Sequence, residues 1–118
     1  MVKRDASLDA IFTALAHPAR RAILRRLCRG EATVGELAKP LKISLPAVTK
    51  HLDILERARL ITRSIQAQWR LCQLQVAPLD LASEWIAEQR KIWEARLDRL
   101  EHYLDTLEPQ EKGNEDHE

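Results

Sequence analysis

Features that define several other classes of protein are scarce or absent in this chain of 118 residues. Its two cysteines, Cys28 and Cys72, are too few for a disulfide-stapled scaffold, so we expect reduced thiols and a cytoplasmic protein. No apolar run approaches the roughly 20 residues that span a membrane. The N-terminal residues 1–5 lack the apolar region of a secretory signal.

Motifs for catalysis and cofactor binding are absent from the sequence as well. With three glycines, the chain has no glycine-rich phosphate loop, and it shows no nucleophile motif. A chain of this length fits one domain with a modest core, which leaves no plausible substrate cavity. We therefore expect a protein that is not an enzyme and that needs no cofactor.

The net charge of +1 hides a strongly uneven distribution of charge along the chain. Residues 1–78 hold 14 Lys and Arg against 6 Asp and Glu, a net charge of about +8. Residues 79–118 hold 5 against 12, a net charge of about −7. The basic half can attract nucleic-acid phosphate, and the acidic half should face away from it. Arginine-rich helices are equally typical of solvated surfaces, so charge alone does not establish DNA binding.

The segment of residues 44–57 predicts one helix with two different faces. Ser44 can cap its N-terminus by accepting a bond from a backbone N–H, and Pro46 fits the first turn. A capped helix with small polar residues at its start suits insertion into a DNA major groove. Its apolar stripe, at helical spacing, consists of Val48, Leu52 and Leu55.

Three shorter helices are predicted before this one. Ser7 and Thr33 stand where they could cap the first and third of them, and Pro40 should end the third. The third helix, a short turn and the segment 44–57 are typical of a helix-turn-helix unit. Apolar residues at helical spacing predict the three helices over residues 8–15, 18–28 and 34–40.

Alternating polar and apolar residues then predict two strands, over residues 60–65 and 69–74. Residues 66–68 would form the connecting turn, and a hairpin directly after a helix-turn-helix unit is a wing. The turn contains no glycine, although tight hairpin turns favour Gly or Asn.

A long helix is predicted over residues 79–107. Its four-three alternation of apolar residues is typical of a helix–helix seam, which we expect to be buried against a second copy of the chain. Packing within one chain is the alternative. The acidic residues 108–118 should form a disordered tail. The predicted dimer interface, on the first and last helices, consists of Leu8, Ile11, Phe12, Trp93, Leu97, Leu100 and Leu104.

Three segments occur in the order and at the spacing of one known family: residues 14–24 (ALAHPARRAIL), 47–52 (AVTKHL) and 55–61 (LERARLI). They resemble the ArsR-type (ArsR/SmtB) family of winged-helix transcription regulators. The pairs EW at 84–85 and YL at 103–104 are similar to a branch that lacks the family's known metal-ligand motifs. The resemblance implies a mostly α winged helix-turn-helix domain with a small β-hairpin (α-α-α-α-β-β-α) over residues 1–107.

The same resemblance implies a homodimeric repressor that binds double-stranded operator DNA, often that of its own operon, and reads a palindrome with helix 44–57. His51 would either contact phosphate or dock the helix by packing. The wing candidates for phosphate or minor-groove contacts are Arg63, Gln68 and Arg70. The family's base-reading positions correspond to Ser44, Leu45, Pro46, Thr49 and Lys50.

Two positions depart from the family pattern. The family usually has glycine at position 59, a position suited to the left-handed backbone conformation. Arg59 in that conformation should add backbone strain of about 1 kcal/mol. Leu45 stands where a polar reader is common, and its side chain could contact a thymine methyl group.

The resemblance also implies where a metal site would lie, since some family members bind metal through a cysteine pair on the third helix and others through Asp, His and Glu on the last helices. No metal site is predicted here, because the third helix has no cysteine and the last helix offers only His102 as a nitrogen ligand. Two alternatives to a simple DNA-binding repressor stay open. One is a protein-interaction module that kept the fold without binding DNA. The other is a redox-sensing repressor that uses Cys28 and Cys72, although such cysteines are more often small buried hydrophobes.

Overall fold

The computed structural model describes residues 2–107, apart from the side chain of Val2. The predicted disordered tail, residues 108–118, lies outside them. Contacts divide the chain into two compact units, Met1–Ser83 and a second that begins at Glu84. The elements are α1 (Val2–Leu15), α2 (Pro18–Leu27), β1 (Ala32–Thr33), α3 (Val34–Leu41), α4 (Leu45–Arg57), β2 (Ile61–Gln66), β3 (Trp69–Leu74) and α5 (Ala77–Leu107).

This order of elements confirms the predicted fold class, with one strand more than expected. The sheet is antiparallel in the order β1-β3-β2, and β1 pairs Ala32 with Cys72 and Thr33 with Leu71. A strand of two residues is too short to show alternation in the sequence, which is why β1 was not predicted.

The core of the first unit forms around α4, which packs against α1, α2, α3 and β2. The predicted stripe of α4 is completely buried there, which confirms the orientation of that helix. The largest fully buried side chains are Ile11, Ile23, Leu37, Val48, Leu52, Leu55, Leu60, Ile61 and Cys72.

Two helix boundaries differ from the prediction. The first helix begins at Val2, so Ser7 lies inside α1 and does not cap it. Pro40 lies inside α3, which ends at Leu41. A proline near the end of a helix removes a single backbone donor, and the left-handed Lys42 then closes the helix with its N–H 3.2 Å from the carbonyl of Ala38.

The wing turn is shorter than predicted. Gln66 pairs with Trp69, so the turn contains only Ala67 and Gln68. Ala67 has a φ of 56°, the left-handed conformation that glycine adopts without strain.

Two of the residues predicted for a dimer interface are used within the chain instead. Leu8 and Ile11 are 6% and 1% exposed, because α1 packs against α4. Phe12 is half-buried against the same core. The predicted interface residues of α5 are exposed in the single chain, between 47% and 61%: Trp93, Leu97, Leu100 and Leu104.

Candidate nucleic-acid interface

The start of α4 has the capped geometry that its sequence predicts. The hydroxyl oxygen of Ser44 accepts a hydrogen bond from the backbone N–H of Ala47 at 3.3 Å. Pro46 occupies the first turn, where its missing N–H breaks no helical bond. Because the stripe of α4 is buried, its opposite face is left for contacts outside the chain.

That opposite face brings together the predicted base-reading residues. Leu45 is 56% exposed, so its side chain is accessible to a partner. Thr49 is half-buried and lies beside the wing. The remaining three residues, all exposed, are Ser44, Pro46 and Lys50.

The end of α4 confirms the backbone conformation predicted for Arg59, whose φ is 61°. Its N–H donates to the carbonyl of Glu56 at 2.9 Å, and the N–H of Leu60 donates to Leu55 at 3.0 Å. These two bonds form a Schellman closure, which requires a left-handed residue at position 59. Arg59 adopts this conformation despite the strain, and its charge lies just beyond the C-terminal end of the candidate reading helix.

His51 points into a junction between α1, α2 and α4. The distance between Arg20 Nη1 and His51 Nδ1 is 3.1 Å, and the rings of His17 and His51 are 4.6 Å apart. Arg20 is buried and also donates to two carbonyls at the end of α1, those of Ala14 (2.8 Å) and Thr13 (3.0 Å). Of the two roles predicted for His51, this geometry supports docking of the helix.

The surroundings of His51 favour its neutral form. Partial burial lowers its pKa first, and the nearby His17 and Arg20 lower that pKa further. Since a guanidinium can only donate, the hydrogen bond from Arg20 requires an unprotonated Nδ1. Arg20 was not predicted as part of the site, because a buried arginine looks like any surface arginine in sequence.

The three wing candidates have different surroundings. Gln68 lies in the turn and is exposed, as is Arg70 on β3. Arg63, in contrast, is bound to two carboxylates of α4, Asp53 and Glu56. Those acidic partners were not predicted, because nothing in the local spacing links residues ten positions apart.

A cleft of about 410 Å³ lies between α4 and the wing. Thr49 reaches it from α4, and Ile65 and Arg70 reach it from the outer half of the hairpin. Ile65 and Trp69 leave large apolar side chains exposed near the wing tip, 73% and 57% respectively. Neither was predicted as a contact, although their apolar character beside the turn is visible in the sequence.

The two cysteines are free thiols in different surroundings. Cys28 is exposed, whereas Cys72 is completely buried on β3, where burial raises its thiol pKa. A raised pKa reduces the reactive thiolate and weighs against the redox alternative. Among residues 2–107, no group of three or more His, Cys, Asp or Glu side chains could hold a metal ion. None of the described helices is long and apolar enough to cross a membrane.

The arrangement as a whole defines a class of protein. α3 and α4 form a helix-turn-helix unit, and the β2–β3 hairpin follows α4 as a wing. The chain is therefore a winged helix-turn-helix protein.

Comparison with known proteins identifies the family. A model described as a helix-turn-helix domain matches residues 15–64. The HTH-type transcriptional regulator Rv2034 of Mycobacterium tuberculosis is 46% identical over 68 residues, 58% of this chain and 64% of that protein. The transcriptional repressor SdpR of Bacillus subtilis is 32% identical over 79 residues, 67% of this chain and 88% of that protein.

A solved structure agrees with these matches. The crystal structure of an ArsR family transcriptional regulator has a TM-score of 0.73 and 44% identity, and the match covers 76% of this chain and 93% of that one. The chain spans less than two thirds of the Mycobacterium tuberculosis relative. It belongs to the ArsR family of winged helix-turn-helix transcriptional regulators.

Proposed function

We propose that this regulator is a homodimeric repressor that binds a palindromic operator with α4, in the simplest case upstream of its own gene. The observation that carries the proposal is the division of α4 into a buried stripe and an exposed start. Its capped N-terminus presents Leu45, Thr49 and Lys50 on the side that the core does not use. Small and polar side chains at the start of a helix are those that reach base edges in a major groove.

Charge supports contact with the DNA backbone on the same side. Lys50 and Arg70 are exposed, and the side chain of neither makes a hydrogen bond or an ion pair with the rest of residues 2–107. Both side chains are thus available to DNA phosphate, because neither would have to break an existing ion pair to bind it. Gln68 at the wing tip is a candidate for minor-groove contact.

The dimer is supported by α5, which leaves its apolar stripe exposed. A second copy would bury that stripe and place two reading helices about 34 Å apart, one turn of DNA. Repression is supported by the kinship with a named repressor of Bacillus subtilis. With DNA as its target, we expect the protein in the cytoplasm.

The test is a gel-shift titration with the DNA upstream of the protein's own gene, against random competitor DNA, at several salt concentrations. Thr49→Ala combined with Lys50→Ala removes two side chains of the proposed reading face. We expect the affinity to fall about 30-fold or more, because two contacts that contribute about 1–3 kcal/mol each sum to at least about 2 kcal/mol. Lys91→Ala, at an exposed lysine of α5, is the matched control and should bind normally.

An unchanged affinity of the double variant at every salt concentration would contradict the proposed reading face. Absence of specific binding by the wild type to that DNA would exclude autoregulation. Absence of binding to any DNA would favour a protein-interaction module with this fold. Equal affinity for one half-site and for the full palindrome would exclude the dimeric mode of reading.

A further inference from the structure

Two arginines of the wing lie on the same face of the hairpin but have different partners. Arg63 stands opposite Cys72, and Arg70 stands opposite Ile65, so the alternation of the strands places them on one side. The side chain of Arg63 is only 27% exposed, and that of Arg70 is exposed. The side chain of Arg70 makes no hydrogen bond or ion pair with other residues that the structure describes, whereas that of Arg63 makes three hydrogen bonds to α4.

The bonds of Arg63 join the wing to the reading helix. Its Nη2 donates to Asp53 Oδ1 at 2.7 Å and to Glu56 Oε1 at 2.6 Å, and its Nε donates to the same Glu56 oxygen at 3.2 Å. Asp53 and Glu56 are three positions apart, and therefore neighbours on the surface of α4. One planar guanidinium binds both carboxylates, and lysine cannot reproduce this geometry.

The bonds from Arg63 to Asp53 and Glu56, called the bridge below, lie where the buried base of the hairpin meets its exposed tip. Ile61 and Cys72 bury the base of the wing in the core. Beyond Arg63, residues 64–70 are all exposed. The bridge is thus the last point on β2 where a substantially buried side chain holds the hairpin to α4 before the exposed tip.

We propose that Arg63 is a positioning residue that holds the wing at a constant angle to α4, so that the major groove and the flanking minor groove are read at a fixed spacing. This inference rests on the proposed function, because it assumes that α4 and the wing both contact DNA. For Arg63 to bind phosphate instead, it would have to leave two carboxylates unpaired beside the DNA backbone. The guanidinium would then no longer attract Asp53 and Glu56, and both carboxylates would repel the DNA phosphates.

The experiment compares Arg63→Gln with Arg70→Gln by measuring DNA affinity against salt concentration and by hydroxyl-radical footprinting. A lost phosphate contact lowers the slope of log affinity against log salt by about 0.9. We expect this lower slope for Arg70→Gln, with the footprint otherwise preserved. For Arg63→Gln we expect about 10-fold weaker binding and loss of protection in the flanking minor groove while protection by α4 remains. The slope should fall by no more than in Arg70→Gln, because a displaced wing loses only the phosphate contact of Arg70.

Two further variants separate a positioning role from a charge role. Arg63→Lys keeps the charge without the planar fork, so it should behave like Arg63→Gln. Asp53→Asn combined with Glu56→Gln removes the bridge from the helix side and leaves Arg63 intact. If Arg63 positions the wing, this pair should also lose the flanking protection; if Arg63 binds phosphate, removing two carboxylates should tighten binding.

A lower salt slope for Arg63→Gln together with normal binding by Arg63→Lys would overturn the inference. So would tighter binding with full wing protection in the doubly neutralised variant. Failure of the wild type to bind DNA would refute the proposed function and is recognised by the same titration. The thermal midpoint of each variant shows whether it is folded, and the helix-side pair tests the bridge if Arg63→Gln is not.

Discussion

The two helices α4 and α5 both carry an apolar stripe, but the chain uses the two stripes differently. Val48, Leu52 and Leu55 of α4 are completely buried by other elements of the first unit. Leu97 and Leu100 of α5 stay about half exposed within the single chain. A buried stripe fixes which face of a helix is free, whereas an exposed stripe is itself a surface for association.

This difference gives each helix a separate task in the proposed repressor. Because its apolar side is satisfied within the chain, α4 can present polar residues to DNA without depending on a partner. α5 has an apolar side that a second copy would cover. Substitutions at equivalent positions of the two stripes should therefore have unequal effects on folding and on assembly.

The largest effect is expected for Leu52→Asp in α4. This change removes a fully buried side chain and places a carboxylate in the core, which should cost more than about 4 kcal/mol. That loss is comparable to the whole stability of a small domain, so we expect an unfolded or aggregated chain. Circular dichroism and urea unfolding measure it. A cooperative transition near the wild-type midpoint would mean that the α4 stripe is not the core.

A smaller effect on folding and a large effect on assembly are expected for Leu97→Asp in α5. The side chain is exposed in the single chain, so the first unit should keep its fold. A charge in a buried seam should weaken the dimer by about 30-fold or more. Sedimentation velocity over a range of concentrations measures this shift. An unchanged dimer would refute the seam, and Glu101→Gln on the same helix is the matched control.

The smallest effect concerns His51 on α4. His51 of α4 has a lowered pKa in the folded chain, because of partial burial, then His17 and Arg20. The unfolded chain takes up this proton near pH 6.5, and the folded chain does so only at lower pH. The contribution of His51 to stability is therefore complete above about pH 6.5 and is lost as the pH falls towards the folded pKa.

Urea unfolding between pH 5 and 8 checks this dependence. His51→Asn keeps an acceptor for Arg20 and cannot titrate, so stability should decline less on acidification. Identical curves for the wild type and His51→Asn would mean that His51 has the same proton affinity in both states.

Much of the fold was accessible from local chemistry. The caps predicted at Ser44 and Thr33 and the left-handed backbone at Arg59 all agree with the structure. Each depends only on residues that lie close together in the chain. Strand β1 was not accessible, because two residues acquire a strand conformation only from pairing with β3.

The sequence by itself determined the order of the five helices and the two hairpin strands, which face of α4 is apolar, and that 14 of the 19 Lys and Arg residues lie within residues 1–78. Tertiary structure alone decided that Leu8 and Ile11 belong to the core and that Arg20 reaches His51. It also decided that the side chain of Arg63 is bound to α4, whereas that of Arg70 has no polar partner among residues 2–107. The physical reason is distance along the chain. Helical and strand periods arise from neighbouring residues, but the partner of a charge or of an apolar side chain is set by elements that meet only after packing.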